Sequence, residues 1–347
     1  METILCLVHV ENDGTLAKAS LEALNGAATL AQSLPGTPWM AGLVGENVQA
    51  AADAIATCGA AKIFAVAGPE FSQSRYATDA AAAAALVRAA QASVIIAPGT
   101  SRWARVGPGV AQRLQGRADT HATAITADNG SLRVTRWHYR QRMEAVMGRA
   151  QRPWLILLDP GCAIPWQGPA GQAQVQQVPV LLNDASRRTT VTGVHAPAAD
   201  AQTIRPDADL LFVTGAGWTK KQADGQPHVK EAENLILDFL KQSRASLGSS
   251  KSLVDLSGEG QAVLPFLTHL NQVGQTGSTP RHPKGLATCC HGEEPHSVGW
   301  RFINERRAVN LDANCGWARG KADVLYVADA FAVMSQVNAL LAAPRSA

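Results

Sequence analysis

The 347-residue chain has no run approaching about 20 consecutive apolar residues, which excludes a helix that spans a bilayer. It has no Lys/Arg block, and its net charge is only +3, so nothing marks it for nucleic acid or an acidic membrane surface. Met1-Glu2-Thr3-Ile4 runs directly into a strand-like segment, with no basic region, apolar stretch and cleavage site before it. The expectation is a cytoplasmic protein without membrane insertion. Charge is sparse at 17%, hydrophobic residues reach 46% and mean hydropathy is near zero, which excludes a disordered chain. The six cysteines contain no C-x-x-C pair. Cys289, Cys290, His291, Glu293, Glu294 and His296 crowd together, but their spacing matches no zinc template, and no metal is expected. A Walker lysine and a nucleophile elbow are also missing.

What is present is alternation. In the first half, apolar runs at 4–10, 39–44, 62–67 and 93–97 read as strands. Between and after them, 16–32, 48–58, 78–90 and 106–114 read as helices, the third rich in alanine. That rhythm predicts a parallel sheet covered on both faces. Pro98-Gly99-Thr100-Ser101 follows a strand at the end where such sheets bind ligands. Asp119 and His121 are candidate catalytic groups with no recognisable base or nucleophile beside them. From 132 to about 204 the rhythm weakens, and the apolar stretches 154–158 and 178–182 are expected to complete the sheet. The reading is an α/β protein of two domains, 1–195 and 208–347, joined by a linker at 196–207. Each domain holds a largely parallel sheet flanked by helices, and the second is Rossmann-like.

The second half places polar residues repeatedly at strand ends. The run 209–214 closes on Gly215-Ala216-Gly217, which could seat a phosphate at a following helix but lacks the third glycine of the dinucleotide fingerprint. A helix is expected at 229–240. A short strand ending at Val254-Asp255 should follow Gly248-Ser249-Ser250-Lys251. Asn271-Gln272-Val273-Gly274-Gln275-Thr276-Gly277 reads as a loop whose glycines let the backbone approach a ligand and whose side chains can hydrogen-bond to it. Further strands at 286–289, 307–310 and 324–328 lead to His291-Gly292 and His296, to Asn310-Leu311-Asp312 and to Asp329. This recurrence describes one extended ligand along the carboxyl edge of a sheet. Taken singly, Asn310 and Asp329 are strand-end caps, Lys251 a solvated charge and His296 an ordinary histidine. The eight tryptophans read as packing or interface anchors.

Together these residues resemble the alpha subunit of electron transfer flavoproteins, the FixB family. The Gln-Val-Gly-Gln-Thr-Gly box is intact at 272–277. Ser250-Lys251 and Val254-Asp255 stand for Ser-Arg and Val-Asp, and Gly292 and His296 fit the next box. Val309-Asn310-Leu311-Asp312 fits Ile-Asn-x-Asp, and Ala322-Asp323 leads to Asp329. The first half resembles the family more loosely, in its opening strand, Gly99-Thr100-Ser101 and Asp119. The resemblance implies one FAD in the second domain and an electron transfer flavoprotein beta subunit as partner. It also implies a donor dehydrogenase and a quinone-linked acceptor oxidoreductase. Thr276 and the surrounding backbone would face the flavin N5 and C4 carbonyl edge, and Val273 and Gly274 belong to the same cofactor-binding set. His296 would face the C2 carbonyl. Ser250, Gln272, Gln275 and Asn310 would hold the pyrophosphate, ribityl chain and adenosine, with Asp329 near the adenine. Gly217, Lys251, Gly292 and Asp312 complete the set. Three departures stand out. Lysine replaces the arginine over the flavin ring at 251, which keeps the charge but loses the planar fork. Ala216 replaces the arginine of Gly-Arg-Gly, and Cys289-Cys290-His291-Gly292 replaces Gly-Ile-Ser-Gly. They point to a divergent branch serving a specialised dehydrogenase. A flavin-free scaffold of the same fold, or a nucleotide-using enzyme built on the first sheet, are the alternatives.

Overall fold

The structure is a computed structural model that describes residues 2–138, 143–193, 204–205, 208–255, 262–273, 282–288, 303–314 and 322–343. The chain divides into two compact units, Met1–His195 and Ala196–Ala347. Most of the expected linker, 196–207, lies outside the described residues. Among the described residues no helix is long and apolar enough to cross a membrane.

Unit 1 begins as the sequence predicts. Strands β1 (Ile4–His9), β2 (Trp39–Gly45), β3 (Ile63–Ala67) and β4 (Val94–Pro98) alternate with α1 (Lys18–Ser33), α2 (Gln49–Ala54), α3 (Tyr76–Ala90) and α4 (Ser101–Arg113). Every residue of β1, β2 and β4 is buried. A period of two sorts their side chains between two cores. Ile4, Cys6 and Val8 pack with Ala23, Leu24 and Ala27 of α1, while Leu5 and Leu7 pack with Leu86 of α3 and Trp103 of α4. Cys6, expected to be a small buried hydrophobe, is fully buried. Gly42 is required where β2 passes β1, since a Cβ there would lie 2.8 Å from Leu7 Cδ2.

Helix α4 starts five residues earlier than the apolar spacing suggests. Its first five residues include Arg102 and Arg105, so apolar periodicity begins late, yet Thr100 caps it by accepting the Trp103 N–H. The rest of the unit contains β5 (Arg117–Asp128), β6 (Ser131–His138), β7 (Met143–Met147), β8 (Trp154–Leu158) and β9 (Val175–Gln177), followed by α5 (Asp184–Arg187). The stretch 154–158 joins the sheet as expected, as β8, whereas the sequence reading passed over β5, β6, β7 and β9. The sheet order is β7-β6-β5-β8-β4-β1-β2-β3-β9, parallel from β5 to β9 with β5, β6 and β7 pairing antiparallel. The β5–β6 turn is Asn129-Gly130, both at positive φ (48° and 74°), the geometry a two-residue hairpin demands. The stretch 178–182, expected to complete the sheet, forms no strand. β9 lies just before it and takes the edge beside β3.

Unit 2 holds a second, wholly parallel sheet in the order β11-β10-β12-β13-β14. Its strands are β10 (Leu210–Thr214), β11 (Ser246–Ser249), β12 (His282–Thr288), β13 (Ile303–Asn310) and β14 (Val324–Val327), with α6 (Val229–Ser243), α7 (Lys251–Asp255) and α8 (Ala330–Ala342). Phe212 of β10 packs with Phe239 of α6, and Trp218 with Phe331 of α8, at ring-centroid distances of 4.8 and 4.7 Å. Two local expectations fail here. The residues before Val254-Asp255 are helical rather than a strand, because Ser250 Oγ accepts the Leu253 N–H at 3.2 Å and turns the chain after β11. Gly215-Ala216-Gly217 opens no α-helix that could seat a phosphate. It leads into a single 3-10 turn, Ala216–Thr219, and α6 begins ten residues later.

Candidate functional site

The order of the second sheet reverses beside its first strand, β10, so that β11 lies on one side and β12, β13 and β14 on the other. Parallel sheets wound this way leave a crevice outside the carboxyl ends at the reversal, because the connections there depart to opposite faces. The reversal falls between Thr214 and Thr288. The Gly215 N–H donates to the Thr288 carbonyl at 2.9 Å, and Trp218 Nε1 donates to Thr288 Oγ1 at 2.8 Å. These bonds hold the Gly217 turn against the end of β12, which makes Thr288 and Trp218 positioning residues that no strand or helix period announces.

Two groups of the expected residues gather along this edge. At the β11 side, the Ser250 N–H donates to the Thr214 carbonyl at 2.9 Å, and the Val273 N–H to the Ser249 carbonyl at 3.0 Å. Ser250, Gln272 and Val273 are all buried. Gly248 makes this docking possible, since a Cβ there would meet Val273 Cγ1 at 2.8 Å. Lys251 projects from the same corner, with its ammonium paired to Asp255 Oδ2 one helical turn on. At the far side, Gly217, Asn310 and Asp329 line one small cleft of about 60 Å³, together with Gln222 and Leu311. Gln222 Nε2 donates to the Gly217 carbonyl at 3.0 Å, another contact that the sequence reading missed. A wider cavity of about 460 Å³ shares Gln222 and Asp329 and opens past His228 and Phe331. His228 bridges Asp224 Oδ2 at 2.8 Å and Glu231 Oε2 at 2.9 Å, bonds that hold the imidazole above its usual pKa.

The plainer roles of several site residues are also visible. Asn310 Oδ1 accepts the Asp312 N–H at 3.1 Å, and Asp312 Oδ1 accepts the Asn314 N–H at 2.8 Å, so both shape the turn after β13. Asp329 Oδ1 accepts the Ala332 N–H at 2.9 Å and caps α8. Gly274, Gln275, Thr276, Gly292 and His296, and the Cys289-Cys290-His291 cluster, lie outside the described residues.

In unit 1 the two catalytic candidates separate. Asp119 is 1% exposed and accepts from Arg136 Nη1 at 2.9 Å, Arg149 Nη2 at 2.8 Å and Trp154 Nε1 at 2.8 Å. Burial pushes this carboxyl up, but the Arg149, Trp154 and Arg136 bonds outweigh it and hold it below the ordinary carboxylate value. With its oxygens so occupied, Asp119 is a structural anchor that ties β6 and the chain after β7 to β8. His121 lies in the β5 bulge at φ 58°, with Nδ1 3.4 Å from Asp159 Oδ1.

The described residues of unit 2 therefore offer a sheet edge with backbone and side-chain polar groups from β11 to β14. At about 4.8 Å per strand, its four spacings span roughly 19 Å, room for an extended ligand rather than a compact one. Amide, hydroxyl and carboxylate groups suit the sugar, pyrophosphate and purine of a dinucleotide, so the donor set fits FAD. No curated protein matches the chain. The family model described as the electron transfer flavoprotein domain matches residues 4–183, the half whose motifs are the looser ones. With just over half of its 347 residues matched, the chain belongs to the electron transfer flavoprotein domain family.

Proposed function

We propose that the chain is the alpha subunit of a heterodimeric electron transfer flavoprotein, with FAD held along the carboxyl edge of unit 2. The observation that carries this reading is the alignment of Ser250, Gly217, Asn310 and Asp329 along one sheet edge, in a chain of this family. Bound there, the flavin would supply reversible electron uptake and release. The chain's own work is to bind, orient and bias it. Asn310 and Asp329 meet the adenosine end, Ser250 and Gln272 the pyrophosphate and ribityl chain, and Gly217 lets the backbone approach closely. Thr276 and His296 would hydrogen-bond the ring edge where negative charge collects on reduction, and Lys251 would add a nearby positive charge. Asp255, which pairs with that ammonium, would share it with a bound flavin. A beta subunit, a donor dehydrogenase and a quinone-linked acceptor complete the reading, and the complex works in the cytoplasm.

The test is an absorbance spectrum of the chain purified with its beta partner. A stoichiometric flavin band is expected, and its absence favours a flavin-free scaffold. Thr276→Val should then shift the flavin midpoint potential by the equivalent of roughly 1.5–3 kcal/mol, the worth of a hydrogen bond to a charged group. An unchanged potential removes Thr276 from the site.

A further inference from the structure

The first sheet has a reversal of its own, between β1 and β4, which the flavin reading does not use. A cavity of about 320 Å³ opens there, where β1 ends at His9 and β4 leads through Pro98 and Thr100 into Arg102 and Trp103 of α4. Two polar groups in its wall make no hydrogen bond. The His9 side chain is 7% exposed and neither ring nitrogen makes a hydrogen bond, its nearest carboxylate oxygen being Asp79 Oδ1 at 3.6 Å from Nε2. Trp103 is 1% exposed, and its Nε1 also has no partner. The two rings lie together, with centroids 4.4 Å apart. A buried donor left unsatisfied costs roughly 1–3 kcal/mol, so two of them in one cavity wall point to something that occupies the cavity.

The charges around the cavity say what kind of occupant fits. Asp79 is fully buried and takes two bonds of 2.8 Å from Arg102 Nε and Nη2, so this pair is neutral together. Arg102 Nη2 also holds the Phe71 and Gln73 carbonyls, at 2.9 and 3.1 Å, which fixes the loop beside the cavity. Arg105, one turn along α4, bonds Ser74 Oγ in the same lining. Glu11 faces the cavity from an exposed position after β1. The N-terminus of the 13-residue α4 adds partial positive charge at this edge. The buried groups are thus donors with a positive bias, and the acid opposing them is hydrated.

We propose that this cavity binds a small organic anion, whose carboxylate or phosphate group accepts hydrogen bonds from Trp103 Nε1 and His9. Arg105 and the start of α4 supply the attraction. Burial holds the free imidazole below its usual pKa, against the opposing pull of Asp79, so it meets the ligand as a neutral donor.

The test titrates the full chain, as purified, with benzoate and separately with inorganic phosphate, following the tryptophan indole N–H resonances and the heat of binding. One indole resonance should move saturably and be missing from Trp103→Phe. Affinity should fall at least tenfold in Trp103→Phe and in His9→Gln. Binding of benzoate alone assigns a carboxylate, and binding of phosphate alone a phosphate group. If neither probe moves an indole resonance, water alone fills the cavity and the proposal is overturned. Binding that persists unchanged in both variants overturns it too. Should these buried variants fail to fold, the exposed Arg105→Gln decides. A severalfold loss of affinity supports the site, and an unchanged affinity rejects it.

Discussion

Both units wind a largely parallel sheet whose order reverses beside its first strand, but certain acidic residues of each sit in opposite settings. In unit 1 the carboxylates of Asp79 and Asp119 are drawn beneath the surface and matched to arginines from other elements. Burial by itself would push both carboxyls up, yet the nearby His9 ring and the Arg102 bonds hold Asp79 below its ordinary value, and the Arg149, Trp154 and Arg136 bonds do the same for Asp119. In unit 2, Asp312, Asp323 and Asp329 stand at strand ends and bond backbone N–H groups. Asp329 takes the Ala332 N–H, Asp312 that of Asn314, and Asp323 both the N–H and Nη2 of Arg306. Buried and paired, a carboxylate fastens distant segments. At an edge it shapes a turn and stays within reach of a ligand. The same residue type thus fastens distant segments in one unit and shapes strand-end turns in the other.

The contrast can be broken most easily at Asp119. Asp119→Asn leaves Arg136 and Arg149 facing a neutral amide, and should cost roughly 3–5 kcal/mol, the range for removing one partner of a buried pair. Urea unfolding measures it, and a loss below about 1 kcal/mol would class the cluster with surface ion pairs.

Acid titration sharpens the same point. A carboxylate with a depressed folded pKa contributes stability above its unfolded value, about 3.9, and loses it as pH falls through the folded value. Unit 1 should therefore lose stability steeply below about pH 4. Asp119→Asn should flatten that limb in unfolding free energy measured against pH. A limb of unchanged slope would show that the two carboxylates do not control it.

Smaller effects belong to unit 2. Asp329→Ala removes the cap of α8 and should cost about 0.5–2 kcal/mol in denaturant unfolding. If Asp329 also meets the cofactor, flavin retention should fall more than that loss explains. A stability change with full retention leaves only the cap. Lys251→Met should be the mildest, about 0.3–0.5 kcal/mol for an exposed i,i+4 pair, while lowering the flavin midpoint potential in a reductive titration. A titration like the parent's makes Lys251 a solvated charge.

The sequence by itself determined the alternation of strands and helices in the first half, because buried parallel strands and apolar helix faces are written locally, in runs and in spacings of three and four. It also determined that Asn310 and Asp329 stand at strand ends, since both residue types favour turns and caps. The β5–β6 hairpin was legible too, in Asn129-Gly130, and the reading missed it because the alternation beside that turn is weak. The helical turn after Ser250 was misread because five residues are too few to show a period. Only the tertiary structure decided the rest. The partners of Asp119 come from 17, 30 and 35 residues away, and His9 meets Trp103 only because β1 and β4 pair across the reversal of the first sheet. Strand order and the company of a buried charge depend on which distant segments pair, and no local period of the chain encodes that choice.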